Sequence, residues 1–224
     1  MDALLFDFDG VVVDSEPIHL ECFQHVLRQW GVELSEEDYY EKYLGYDDQD
    51  CLRVASRDAG VDLDAPTIAR LTAEKTVLVQ RAFAESIQPL PGAVVLIRAA
   101  AEAGVPLAVC SGALREEIVL ASRTIGVLEC LQTIVAAEDV TRGKPDPEGY
   151  LRAREQLASL TGRDLDPARC VVVEDSPAGI EAARGAGMKV LAVTNSYPRA
   201  RLGAAHRVVD ALANVTVESL DELL

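Results

Sequence analysis

The chain has 224 residues, 49% apolar and 26% charged, a composition ordinary for a folded globular protein that excludes disordered and disulfide-scaffold classes. Its 21 basic against 37 acidic residues give a net charge of −16, a field that repels nucleic-acid backbones and anionic lipid surfaces and so speaks against both as partners. Five scattered cysteines with no CxxC pair fit reduced thiols in the cytoplasm rather than a zinc site, and no apolar run nears the ~18 residues of a membrane span.

Ala3-Leu4-Leu5-Phe6 is an apolar run that stops at Asp7, which reads as a buried strand delivering polar groups at its carboxyl end. From Pro17 the apolar residues Ile18, Cys22, Phe23, Val26, Leu27 and Trp30 recur on one helical face, with Gly31 placed to end the helix. Phe23 and Trp30 on that stripe are expected to pack against neighbouring helices. Ser35-Glu36-Glu37-Asp38 resembles a capping box, and further helices are expected over 48–59, closed by Gly60, and over 66–86. Residues 15–87 are thus expected to be wholly helical.

Gln88-Pro89-Leu90-Pro91-Gly92 breaks the helical period. Beyond it, β-rich apolar runs at 106–110, 133–136, 170–173 and 189–193 alternate with helical patterns at 116–125 and 148–157, and such alternation predicts a parallel sheet. The strand before Asp7 belongs to the same sheet. The expected fold is therefore α/β: a doubly wound, Rossmann-like core of residues 1–14 and 88–224, carrying an inserted all-helical domain of residues 15–87.

In such sheets ligands sit beyond the carboxyl ends of the strands, so the residues after each apolar run carry the chemistry. They are Asp7-Phe8-Asp9-Gly10, Ser111-Gly112, Gly143-Lys144-Pro145 and Glu174-Asp175. Four carboxylates gathered in one crevice repel one another unless a cation neutralises them. Their hard oxygens, with no His or Cys spacing nearby, favour Mg²⁺. Lys144 offers a cation, Ser111 a hydroxyl and Gly112 an unobstructed backbone N–H, groups that suit a phosphoryl substrate. One carboxylate attacks phosphorus in line while its neighbour handles the leaving-group proton, a labour that Asp7 and Asp9 can divide.

Phe6-Asp7-Phe8-Asp9-Gly10-Val11, Cys110-Ser111-Gly112, Gly143-Lys144-Pro145-Asp146-Pro147 and Val173-Glu174-Asp175-Ser176-Pro177-Ala178-Gly179 occur in that order. Together they resemble the haloacid dehalogenase superfamily, in its phosphatase and β-phosphoglucomutase-like branch. The resemblance implies Asp7 as nucleophile, Asp9 as general acid then base, and Ser111 and Lys144 as phosphate holders, with Gly112 beside them. It implies Asp175 as principal Mg²⁺ ligand, joined by Asp7, the Asp9 backbone carbonyl and Glu174, the last directly or through water. The helical insert resembles the branch's mobile cap and should choose the substrate, expected to be a small phosphorylated metabolite such as a sugar phosphate. The founding dehalogenases lack the second aspartate; its presence here favours phosphoester chemistry.

His19 matches a position where related mutases carry a histidine facing the active site, although a packing role explains it equally well. Lys75 and Arg115 are candidates for the distal end of an anionic substrate, against the alternative of solvated helix charges. Sugar mutases carry a Gly-x-Ser-Arg stretch in the cap, where this chain has Gly45-Tyr46-Asp47-Asp48, so a β-phosphoglucomutase-like mutase is the second reading. A third, from another class, is a receiver-like phospho-acceptor module. Receivers place their acceptor Asp after the third strand, where this chain has Thr133-Ile134-Val135-Ala136-Ala137.

Overall fold

The computed structural model describes residues 1–44 and 46–224, which divide into two compact units: Met1–Asp14 with Ile87–Leu224, and Ser15–Ser86. The first unit holds six parallel strands, β1 (Ala3–Phe6), β2 (Leu107–Cys110), β3 (Thr133–Val135), β4 (Cys170–Glu174), β5 (Lys189–Val193) and β6 (Arg207–Val209), in the spatial order β3-β2-β1-β4-β5-β6. This is the doubly wound Rossmann order, which reverses direction beside β1. In register, Phe6 stands between Val109 of β2 and Val173 of β4. The carboxyl ends of the three central strands therefore lie level with one another.

β1 and β4 are wholly buried because helices cover both faces of a parallel sheet, which is why their sequences are continuous apolar runs. Each buried Leu or Val side chain there contributes roughly 1.5–3 kcal/mol relative to exposure. One face packs Leu5, Ala108, Cys110 and Val172 with Tyr150, Ala153 and Leu157 of a helix over Glu148–Thr161.

The second unit contains α1 (Glu16–Arg28), α2 (Glu36–Asp38), α3 (Asp48–Asp58) and α4 (Ala65–Ser86), and no strand interrupts them among the described residues. Helices of the sheet unit continue the count as α5 (Ala93–Glu102), α6 (Arg115–Thr124), α7 (Glu148–Thr161), α8 (Pro177–Gly185) and α9 (Val217–Asp221). Ser35 caps α2 as its sequence suggests, accepting the Asp38 N–H at 3.1 Å. The expected packing of Trp30 is corrected. Phe23 is buried, but Trp30 is 40% exposed, because α1 ends at Arg28 and the stripe stops with it. The Arg70 guanidinium instead lies 5.9 Å from the Trp30 ring centroid. No described helix is long and apolar enough to cross a membrane.

Candidate active site

Asp7 follows β1 without leaving the sheet, since its N–H donates to the Val173 carbonyl at 2.9 Å. The chain then turns sharply. The Phe8 carbonyl accepts from the N–H groups of Val11, Val12 and Val13 at 3.3, 2.8 and 3.2 Å, and Gly10 N–H donates to the Val13 carbonyl at 2.9 Å. Gly10 makes this possible at φ +73°, the left-handed region that a side chain disfavours. At the end of β2, the Ser111 hydroxyl donates to Asp9 Oδ2 at 3.2 Å and accepts the Ala113 N–H at 3.1 Å. Gly112 beside it is exposed, with nothing within 4 Å of where a Cβ would stand.

Lys144 joins the strand ends. Its ammonium donates to Asp7 Oδ1 at 2.7 Å and to Glu174 Oε1 at 2.6 Å. Glu174 is fully buried, and donors surround it. Oε1 also accepts the Tyr150 hydroxyl at 2.8 Å, while Oε2 accepts the Asp175 N–H at 2.9 Å, the Ser176 N–H at 3.1 Å and the Ser176 hydroxyl at 3.0 Å. Ser196, after β5, donates its hydroxyl to Asp175 Oδ2, and the neighbouring Asn195 amide donates to the Gly10 carbonyl at 2.7 Å.

This crowding sets the electrostatics. Burial raises the Asp7 carboxyl well above the usual range, and Glu174 and Asp175 push it further against the pull of Lys144. Burial, then the charge of Glu174, pushes Asp175 up to about 7. Burial would also raise Glu174, but Lys144, Tyr150 and the Ser176 N–H outweigh it and hold that carboxylate below its ordinary value. The ionised form is thus disfavoured at Asp7 and Asp175 and favoured at Glu174.

Asp7, Glu174 and Asp175 each present a carboxylate oxygen within 4.8 Å of the others, a spacing that suits one shared hard cation. Three carboxylates offer only hard oxygen donors, and Asp7 and Asp175, whose ionised forms burial and then their neighbours' charges disfavour, would gain a counter-charge there, which fits Mg²⁺. Glu174 is one of the three acids of this cluster, and both its oxygens also accept from protein donors.

The structure thus brings together Asp7, Asp9, Ser111, Lys144, Glu174 and Asp175 at the carboxyl edge of one sheet. In the helical unit, the buried Lys75 ammonium donates to Asp48 Oδ1 at 2.7 Å, meets His19 Nδ1 at 2.7 Å and lies 4.6 Å from the Phe23 ring centroid. Arg115 starts α6 and is tied to the Ile134 carbonyl at 2.9 Å and to Asp139. Gly45 lies outside the described residues. Sequence reasoning missed Tyr150, Asn195 and Ser196. The last two come just after Thr194, the residue that follows β5, so the strand-end rule that found the others extends to them; Tyr150, inside a helix, gives no such signal.

A family model for the haloacid dehalogenase-like hydrolases matches residues 4–193. Hexitol phosphatase A of Escherichia coli (strain K12) is 32% identical over 219 residues, covering 96% of this chain and 93% of that protein. The validoxylamine A 7'-phosphate phosphatase of Streptomyces hygroscopicus subsp. limoneus is 29% identical over 211 residues, 94% of each chain. Among solved structures, CbbY from Rhodobacter sphaeroides in complex with phosphate superposes with a TM-score of 0.86 at 28% identity, covering 99% of each chain.

Proposed function

The chain belongs to the haloacid dehalogenase-like hydrolase family, and we propose that it is a Mg²⁺-dependent phosphomonoesterase that cleaves a small sugar phosphate through a phosphoryl group carried on Asp7. The observation that carries this reading is the meeting of four groups at one sheet edge, with Lys144 hydrogen-bonded to Asp7 and Glu174 and the carboxylate oxygens of Asp7, Glu174 and Asp175 within 4.8 Å of one another.

Asp7 attacks phosphorus through a carboxylate oxygen; the bond to the sugar oxygen breaks as Asp9 gives that oxygen a proton. Water then attacks the phosphorus, Asp9 takes the water's proton, and the bond to Asp7 breaks to release inorganic phosphate. Lys144 neutralises Asp7 and has three N–H donors, two of them used on Asp7 and Glu174, so a phosphoryl oxygen can take the third. The Ser111 hydroxyl and the Gly112 N–H, which follow the end of β2, hold the remaining oxygens. Mg²⁺ would be held by the carboxylates of Asp7 and Asp175, the Asp9 carbonyl and, directly or through water, Glu174, and would supply charge neutralisation for the phosphoryl group.

Two features favour a substrate with one phosphate. Lys75 is neutralised by Asp48 and Arg115 by Asp139, so neither is an uncommitted cation for a second phosphate. The relatives named above are a hexitol phosphatase and a validoxylamine A 7'-phosphate phosphatase. We assign the choice of substrate to the helical unit Ser15–Ser86. Ala136 and Ala137 follow β3, where a receiver would carry its acceptor acid, which supports turnover rather than signalling. Five free cysteines support a cytoplasmic location.

The test is phosphate release from a panel of hexose, pentose and polyol monophosphates, with Mg²⁺ and with a chelator, alongside a coupled assay for glucose 1-phosphate to 6-phosphate conversion. Sustained Mg²⁺-dependent release from at least one monophosphate is expected. Isomerisation without release identifies a mutase, and a single stoichiometric burst identifies a phospho-acceptor.

A further inference from the structure

Tyr150 has no place in the scheme above, yet it touches two of the residues in it. It lies near the start of α7, fully buried among Leu5, Cys110 and Val172. A buried tyrosine hydroxyl needs one acceptor. This one donates to Glu174 Oε1 at 2.8 Å, the oxygen that also accepts from Lys144 at 2.6 Å. The Lys144 ammonium in turn lies 5.1 Å from the Tyr150 ring centroid, within cation–π range.

With three more donors on Oε2, Glu174 accepts from five groups, whereas an ionised carboxylate offers about four lone-pair sites. The helix behind it leaves no room for retreat: a Cβ at Gly179 would stand 1.7 Å from Glu174 Oε1 and 1.9 Å from its carboxyl carbon.

We infer that Tyr150 is a positioning residue, whose hydroxyl and ring fix Glu174 as the seat of Lys144 and so hold the ammonium against Asp7. The inference rests on the phosphomonoesterase reading, in which Asp7 is the nucleophile. Lys144, held from one side by Glu174 and stacked on Tyr150, stays aimed at Asp7.

Tyr150→Phe keeps the ring and removes the hydroxyl. On p-nitrophenyl phosphate its kcat is expected to fall about tenfold, the scale of one lost hydrogen bond to a charged group, with KM changed less than about threefold. Magnesium affinity of the substrate-free protein, read by titration calorimetry, should stay within about twofold, because the ion's own ligands are untouched. A parental kcat, or a magnesium affinity changed tenfold or more, overturns the assignment.

A second readout needs neither the variant nor activity. A crystal structure of the magnesium-loaded wild-type protein is expected to show Glu174 still bonded to Lys144 and Tyr150. A Tyr150 hydroxyl or a Lys144 ammonium parted from Glu174 overturns the assignment. If the wild-type protein hydrolyses no phosphomonoester, the functional reading fails, while calorimetry and the loaded structure still decide the role of Tyr150.

Discussion

Gly10 and Asp175 approach so closely that a Cβ on Gly10 would stand 2.0 Å from Asp175 Oδ2. The turn after β1 and the end of β4 are thus fitted to each other through the absence of a side chain. Gly10→Ala should act twice: at φ +73° it strains the backbone by about 1–3 kcal/mol, and it drives the Asp175 carboxylate from its place. A lower melting temperature is expected, together with a magnesium affinity weakened by about 10- to 100-fold, as when the surroundings of a metal ligand are disturbed. Calorimetry checks the second effect, and parental affinity would remove Asp175 from the metal site.

Asp7 and Asp9 are two residues apart but differ in surroundings, Asp7 being buried against Lys144 and Asp9 half-buried against Ser111. Asp7→Asn should leave a folded protein with turnover reduced by more than about 10³-fold, since an amide cannot serve as the nucleophile. Asp9→Asn should slow turnover by about 10² to 10⁴, the range of a positioned acid–base group. Steady-state kinetics on both variants, beside circular dichroism to confirm the fold, separates the two roles.

Lys144 is the cation between two buried acids, with Nζ 2.7 Å from Asp7 and 2.6 Å from Glu174. Lys144→Met leaves both acids without it. Removing one partner of a buried pair costs about 3–5 kcal/mol, and denaturant titration should show a loss of that order together with loss of activity. Added Mg²⁺ should return part of the stability, because it neutralises Asp7.

His19, in the helical unit, carries a pH dependence of stability. The Lys75 ammonium donates, so His19 Nδ1 accepts and the ring proton resides on Nε2. Burial, then the charge of Lys75, lowers the imidazole from its ordinary 6.5 to about 3. Between these values the unfolded chain binds the proton and the folded one does not. This contribution to stability is therefore intact above pH 6.5 and lost as pH falls towards 3. His19→Gln keeps an acceptor for Lys75 without a titrating ring, so its stability should decline less steeply over that window. Denaturant midpoints at several pH values measure the difference.

Much of this architecture is legible in the sequence because burial on both faces writes a parallel strand as an apolar run: β1, β2, β4 and β5 read directly, and the polar residues after them are the site. β6 does not read this way. Arg207, Val208 and Val209 are all only partly buried, and an edge strand three residues long lacks the apolar signature. Trp30 misleads for the opposite reason, since helical spacing continues past the residue where the helix stops. Tyr150 shows the deeper limit. Its periodicity says core, correctly, and what its hydroxyl reaches depends on where β4 ends, a relation across 24 residues of chain that no local pattern carries.

The central claim is a phosphoryl group carried by Asp7, and the most direct measurement is to quench the enzyme during turnover of a sugar monophosphate, reduce it with borohydride and sequence the peptide by mass spectrometry. Reduction of an aspartyl phosphate converts that residue to homoserine. Homoserine at position 7, absent when substrate is omitted, is the expected result. Unmodified Asp7 during rapid Mg²⁺-dependent phosphate release, or homoserine at Asp9 or Asp175 instead, would contradict the account.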